Sequence, residues 1–406
     1  MTDIKNIKKD FPFFQKNKNI VYLDNSATSL KPQCVIDNII NYYLKYSTNP
    51  HNTDFLLAYD CNENIQKIRK LVAEFINGKD SEIIFTPSTT FGLNQLALGL
   101  EALISKDDEI LLTMAEHSSN LLPWYRLAKT KQAKIKYIGL EDLTITITNV
   151  KKLLTPKTKI VSFANISNVL GTVNDTKAIC QAIKQYNPNI IVIIDGAQSV
   201  GHIKTDVQDW DIDFLVFSGH KMLGPTGIGI LWGKNMMLSK LAPMLLGGGN
   251  NAIINENRTY SLVQGYMGFE SGTQNIAGIF GLQEAIKYLQ NIGLETIHNY
   301  ITSLKDYAVN EIRRENLDVT IYNPNAKSGI LVFNVNNVAA HDVSVNLANN
   351  HNICLRSGIH CASLIDQVLG VESSLRASFY IYNTKEDVDK LIIALKTGGN
   401  FIDDFL

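Results

Sequence analysis

IIVIIDGAQ, residues 190–198, and DFLVFSGHK, residues 213–221, are two apolar runs that each end in a polar, reactive cluster. Neither run alternates apolar with polar residues, as a strand with one wet face would. Continuous apolar runs of this length suit strands covered on both faces by helices, which is the habit of mainly parallel sheets. The same texture continues to either side, in EIIFT (82–86), EILLTM (109–114), AKIKYIGL (133–140), KIVSFANI (159–166) and GIGILWG (227–233). Amphipathic stretches separate these runs, so the chain reads as α/β, with a mainly parallel sheet sandwiched by helices. From about Gly281 the texture changes to a long helical pattern, GLQEAIKYLQNIGLETIHNYITSLKDYAVNEIRREN (281–316). Strand-like ILVFNV (330–335) and a closing helical pattern, EDVDKLIIALKTGG (386–399), follow. A large domain over 20–285 is expected, with a smaller α+β domain built from 286–406 and packed with residues 1–19.

The 406 residues carry 38 basic and 39 acidic side chains, 45% hydrophobic residues and 19% charged ones. That balance excludes a disordered chain and offers no field of one sign to hold nucleic acid or an anionic membrane. Five cysteines in so long a chain are too few and odd in number for a disulfide framework, which points to a reducing compartment. The opening MTDIKNIKKDFPFF lacks the apolar core of a secretory signal, and no apolar run approaches a membrane span. A cytoplasmic location is expected.

Ligands of open α/β sheets bind beyond the carboxyl ends of the strands, so the residues after each run matter most. EIIFT leads into Pro87-Ser-Thr-Thr-Phe-Gly-Leu-Asn94, where Thr89 and Thr90 either hold a phosphate at a helix start or simply cap that helix. EILLTM leads to His117, a ring that stacks or shuttles protons, or else a solvated loop residue. Asp195 closes a wholly apolar strand and needs a cation unless it only caps a turn. Lys221 follows a buried strand and precedes Gly224-Pro-Thr-Gly227; desolvated there it would be nucleophilic, although most lysines are solvated surface groups. The pair changes the weighing. An Asp and, further on, a Lys at the ends of neighbouring strands match what pyridoxal phosphate requires, a lysine Schiff base and an acid partner for the pyridinium nitrogen.

Taken together, Asp195-Gly-Ala-Gln198, Ser218-Gly-His-Lys221, Ser167-Asn-Val-Leu-Gly-Thr172 and Arg356-Ser-Gly-Ile-His-Cys-Ala362 resemble the cysteine desulfurases of the class V aminotransferase fold. The likeness runs from Tyr22-Leu-Asp-Asn-Ser-Ala-Thr28 to Tyr382-Asn-Thr384 and is nearest the short-loop subgroup, which also acts on selenocysteine and serves iron–sulfur assembly. The resemblance implies a fold type I pyridoxal-phosphate enzyme with a seven-stranded sheet, working as a homodimer. It implies that Lys221 carries the cofactor and moves the substrate Cα proton, that Asp195 keeps the pyridine nitrogen protonated, and that Gln198 bonds the phenolic oxygen. His117 would stack on the ring and relay a proton. Thr89, Thr90, Ser218 and His220 would hold the phosphate, with Thr273 reaching in from a second subunit. Asn168, Arg376 and Arg356 would bind the substrate, and no metal ligand is implied.

Cys361 discriminates among reactions on this cofactor, because taking sulfur from L-cysteine or selenium from selenocysteine needs a nucleophile that transamination does not. Arg356 and His360 nearby would favour its thiolate, the nucleophilic form. Its persulfide would then pass to an acceptor protein. Cys34, Cys61, Cys180 and Cys354 read as small core residues. Two other readings stand beside this one: another class V reaction, such as a transaminase, epimerase or kynureninase-like hydrolase, and a non-catalytic cofactor-binding scaffold for sulfur transfer. Three positions depart from the family pattern. Ile359 stands where histidine is common, Asn52-Thr53 follow His51 in place of Arg-Gly, and Ser118-Ser119 replace His-Ala.

Overall fold

A computed structural model describes residues 4–50, 54–249 and 252–397. The departures at His51, Asn52 and Thr53, and the last two residues of the closing helical pattern, lie outside the described residues. Seven strands form the central sheet: β1 (Ile83–Thr86), β2 (Glu109–Thr113), β3 (Lys134–Ile138), β4 (Thr158–Ala164), β5 (Ile191–Asp195), β6 (Phe214–Ser218) and β7 (Gly229–Gly233). Their spatial order is β1-β7-β6-β5-β4-β2-β3. All pairings are parallel except those of β7, which runs against both β1 and β6. The expected strands are therefore present, and β5 and β6, whose runs are the most apolar, stand side by side near the middle.

Their side chains divide between two cores, one on each face. Val192, Ile194, Leu215 and Phe217 face the larger one and Ile193, Phe214 and Val216 the other. That alternation, with both sets apolar, is why the runs show no polar period. Helices α1 (Gln33–Asn41), α2 (Leu56–Phe75), α3 (Thr89–Gly99), α4 (Leu122–Lys131) and α5 (Thr176–Tyr186) cover the sheet.

The helical pattern after Gly281 resolves into two helices, α6 (Ile276–Ile292) and α7 (Leu294–Arg314), separated at Gly293, whose φ of 89° lies in the left-handed region. Helix α6 packs into the core of the large sheet, while Leu304, Ala308 and Ile312 of α7 pack with the second sheet. That sheet is antiparallel, in the order β8 (Val319–Ile321), β9 (Ile330–Val335), β11 (Ser374–Ser378), β10 (Arg356–Gly358), with α8 (Ala340–His351) and α9 (Lys385–Thr397) packed on it. Residues near the start of the chain join both bodies. Ile7 and Phe11 enter the large core, whereas Val21 and Leu23 enter the core of the small domain. No described helix is long and apolar enough to cross a membrane.

Candidate active site

The strand ends and the second sheet meet over one cavity. Its walls include Thr89, Thr90, His117, Asp195, Gln198, Ser218, His220 and Lys221 from the large domain, Asn168 from the loop after β4, and Arg356, His360 and Arg376 from the small domain. Twelve of the residues singled out in the sequence therefore converge here from separate segments. Thr273 and Cys361 are not among its walls; Thr273 is exposed, on a segment after Glu270, whose carboxylate accepts two bonds from Arg69 of α2 at 2.7 and 2.8 Å and one from the Phe85 N–H of β1 at 2.7 Å.

Lys221 ends a short 3₁₀ turn directly after β6. Its amine opens on the cavity, and the surrounding walls push its pKa down to about 8, with Asp195 opposing and Arg376 assisting the fall. The turn is fastened from below by the segment after Tyr22. Ser29 N–H (3.0 Å), Ser29 Oγ (3.1 Å), Thr28 Oγ1 (3.2 Å) and Lys31 Nζ (3.1 Å) all donate to the carbonyl of His220. Asp195, at the tip of β5, is buried, and burial raises its carboxyl pKa, although one oxygen accepts the Ala197 N–H at 2.9 Å. A buried carboxylate with so little compensation suits a cationic partner. Gln198 is fixed by donating to the carbonyl of Ser26 at 2.8 Å.

His117 caps the 3₁₀ turn 118–120, and its Nδ1 accepts the Ser119 N–H at 3.1 Å. With Nδ1 an acceptor, a neutral ring carries its proton on Nε2. Burial, with Lys221 and Arg356 adding to it, drives the ring pKa to about 4, so the imidazole is neutral near pH 7. Its chain neighbour Glu116 is fully buried, accepts from Thr113 Oγ1 (2.6 Å) and Asn120 Nδ2 (2.7 Å) and has its pKa pushed up to about 7 by burial.

In the hydroxyl-rich turn a single residue does the capping. Ser88 caps α3 by accepting the Phe91 N–H at 3.2 Å. That leaves Thr89, whose amide and hydroxyl meet Ser218 Oγ at 2.8 and 2.7 Å, and Thr90, whose hydroxyl meets Ser119 Oγ at 2.7 Å. The start of this eleven-residue helix, with Thr89 and Thr90 and the facing hydroxyls of Ser218 and Ser119, is fit to receive a phosphate.

The small domain contributes positive charge through its register. Arg356 of β10 and Arg376 of β11 are directly opposite on adjacent strands. Like charges so placed repel, so each needs an anionic or polar partner. Arg376, 1% exposed, donates to the Asn168 carbonyl (2.8 Å) and Asp24 Oδ1 (3.1 Å), while its buried Nε–H has no partner among the described residues. Arg356 donates to Cys361 Sγ at 2.9 Å. A further carboxylate would complete the pairing of Arg376, for which the guanidinium edge is well shaped. The side-chain amide of Asn168 donates to the His360 carbonyl at 2.8 Å. His360 itself brings no charge to the thiol, because burial holds its pKa near 3 and its Nε2 meets Ser374 Oγ at 3.0 Å.

Asp24, Ser26, Ser118 and Ser119 are absent from the sequence-based set of site residues. Asp24 and Ser26 sit in a short polar run just after the apolar Val21–Leu23, the same strand-then-polar signal that drew attention to Asp195, but the strand is only two residues long.

A buried carboxylate, a low-pKa lysine, a neutral imidazole and a hydroxyl-lined helix start together fit pyridoxal phosphate. The comparisons agree. Residues 21–391 match the family model described as aminotransferase class V. A probable cysteine desulfurase of Ureaplasma parvum is 44% identical over 96% of both chains, and one of Borreliella burgdorferi is 42% identical over 97% of this chain and 96% of its own. Among solved structures, the apo cysteine desulfurase of Thermococcus onnurineus is 35% identical with a TM-score of 0.92 over 98% of both chains. The Escherichia coli cysteine desulfurase CsdA, in an S-sulfonic acid form, is 32% identical with a TM-score of 0.89 over the same shares. The chain belongs to the class V aminotransferase family, within its group of cysteine desulfurases.

Proposed function

We propose that this protein is a pyridoxal-phosphate cysteine desulfurase that converts L-cysteine to L-alanine and receives the sulfur on Cys361. The observation that carries this reading is the hydrogen bond from Arg356 to Cys361 Sγ, made by a residue that also lines the cavity of Lys221 and Asp195. When bound, the cofactor supplies an electron sink for the carbon skeleton. The protein's residues do the rest. Arg376, through its free Nε–H, and Asn168 seat the substrate carboxylate. Lys221, with its amine drawn toward neutrality, takes the Cα proton. The thiolate of Cys361 attacks the substrate sulfur, forming an S–S bond as the C–S bond breaks and its electron pair stays with the substrate carbon. Lys221 returns the proton it removed, and the substrate thiol's own proton, relayed through His117 so that the ring ends neutral, reaches the methyl carbon and completes alanine. The enzyme is left with a persulfide, and a thiol of an acceptor protein takes the outer sulfur and restores Cys361.

This reading extends to a cytoplasmic homodimer that supplies iron–sulfur assembly, with selenocysteine as a second substrate. Large apolar side chains left in solvent, Leu44 at 83%, Leu56 at 74% and Ile254 at 81% exposed, support a second copy covering such side chains. Thr273, exposed and outside this chain's cavity, is suited to reach the partner's phosphate site. The test is Cys361→Ala. The variant is expected to keep the cofactor's absorbance and lose sulfide release from cysteine by at least about a hundredfold. Wild-type rates of sulfide release would overturn the assignment.

A further inference from the structure

The loop that carries Cys361 is held in an unfavourable backbone conformation. His360 and Cys361, neither of them glycine, have φ values of 53° and 58°, after Gly358 at 109°. Two successive left-handed side-chain-bearing residues persist only where their surroundings over-determine them. The holds on this loop can be traced. The His360 ring is bonded to Ser374 and its carbonyl to Asn168. The carbonyl of Cys361 accepts two bonds from one residue, Ser118, from the backbone N–H at 2.7 Å and from Oγ at 2.8 Å. Ser118 Oγ also lies 2.8 Å from Ser363 Oγ. Because the single hydroxyl proton of Ser118 goes to the carbonyl, Ser363 is the donor in that second contact. Ser118 adjoins His117, so one residue of the large domain joins the ring-facing turn to the nucleophile loop of the small one.

We infer that Ser118 is a positioning residue for Cys361: its amide and hydroxyl together fix the Cys361 carbonyl and so hold Sγ beside Arg356. This rests on the reading of Cys361 as the sulfur-accepting nucleophile. Without the hydroxyl, the loop keeps one bond to the carbonyl and relaxes toward conformations with negative φ, which re-aim the sulfur. In the proposed reading the substrate carboxylate is seated by Arg376 and Asn168, not by Ser118.

The experiment compares Ser118→Ala, Ser118→Thr and Ser363→Ala with wild type in two assays on the purified holoenzyme. The first is cysteine turnover, read as kcat and KM. The second is the rate at which iodoacetamide alkylates Cys361 in the resting enzyme, read by peptide mapping, which requires no turnover. Ser118→Ala is expected to lower kcat about five- to tenfold with KM within twofold, the size of one lost hydrogen bond. It should also change the alkylation rate at Cys361 at least about threefold. Ser118→Thr, which keeps the hydroxyl, should restore both, and Ser363→Ala should shift both in the direction of Ser118→Ala by a smaller factor. A Ser118→Ala enzyme within twofold of wild type in both assays overturns the inference, as does a Thr variant as impaired as the Ala one. Failure of the wild type itself to form alanine would instead defeat the desulfurase reading, and the alkylation comparison would still decide on the anchor.

Discussion

Lys221 and Asp195 stand at the tips of adjacent strands, β6 and β5, whose neighbours are buried on both faces, and neither residue has an unusual backbone. Cys361 stands in the connection 359–373 between β10 and β11, ahead of the helical turn Ile365–Leu369, with two left-handed residues held by side chains from the other domain. Under the proposed function, the difference follows from what each would do. Groups that hold a cofactor and move a proton within it gain from rigid placement, because misplacement raises the barrier steeply. A thiol that must first meet a substrate sulfur inside and then an acceptor outside gains from a loop whose position depends on a few breakable bonds.

Changes at the two ends should therefore have separable effects. The largest is expected at Lys221. Lys221→Ala should lower alanine formation at least about a thousandfold, because it removes the proton-moving amine as well as the attachment of the cofactor. Cys361→Ala should spare cofactor absorbance and stop sulfide release alone. If both variants lost cofactor to the same degree, the two ends would not be independent and the comparison would fail.

A smaller effect concerns pH. Burial lowers the pKa of His117 and His220 to about 4 and of His202 and His360 to about 3, all below the ordinary histidine value. The unfolded chain then binds protons between pH 6.5 and 4 that the folded chain refuses, so stability is full above pH 6.5 and falls as the pH drops. Glu116, raised to about 7, works the other way, losing stability as the pH rises from about 4.5 through 7. These four histidines, with His298 lowered in the same direction, outnumber the two buried carboxyls Glu116 and Asp195 and leave a net loss on acidification, on the order of 1 kcal/mol per pH unit for each proton withheld. Denaturant titrations from pH 7 to 5 should show the decline, and His117→Gln and His360→Gln should each flatten it. Flattening by the loop variant only would mean that the cofactor end is less tightly packed than described.

Much of this molecule was legible from the chain alone, and physical reasons separate the parts that were from the parts that were not. The central strands announced themselves because double burial leaves no room for polar residues, as in Ile191–Ile194 and Phe214–Phe217. Lys221, Asp195 and His117 were legible because strand ends are where such sheets bind ligands. The break at Gly293 was hidden in an otherwise continuous helical pattern, since one glycine inside a helix is tolerable. Asp24 and Ser118 were hidden for another reason. Their partners, Arg376 and Cys361, lie hundreds of residues away, and nothing local in a serine or aspartate reveals which distant guanidinium or carbonyl it will meet. The expectation that His360 charges the thiol's surroundings failed on burial, a property of the folded loop that spacing to Cys361 does not contain.

The most direct test of the account is a single turnover with L-cysteine in the absence of reductant and acceptor. The account predicts one alanine per active site and one added sulfur on the peptide that contains Cys361, with no further alanine until a thiol is supplied. Added sulfur on another cysteine, or continued alanine formation with Cys361 unmodified, would contradict it.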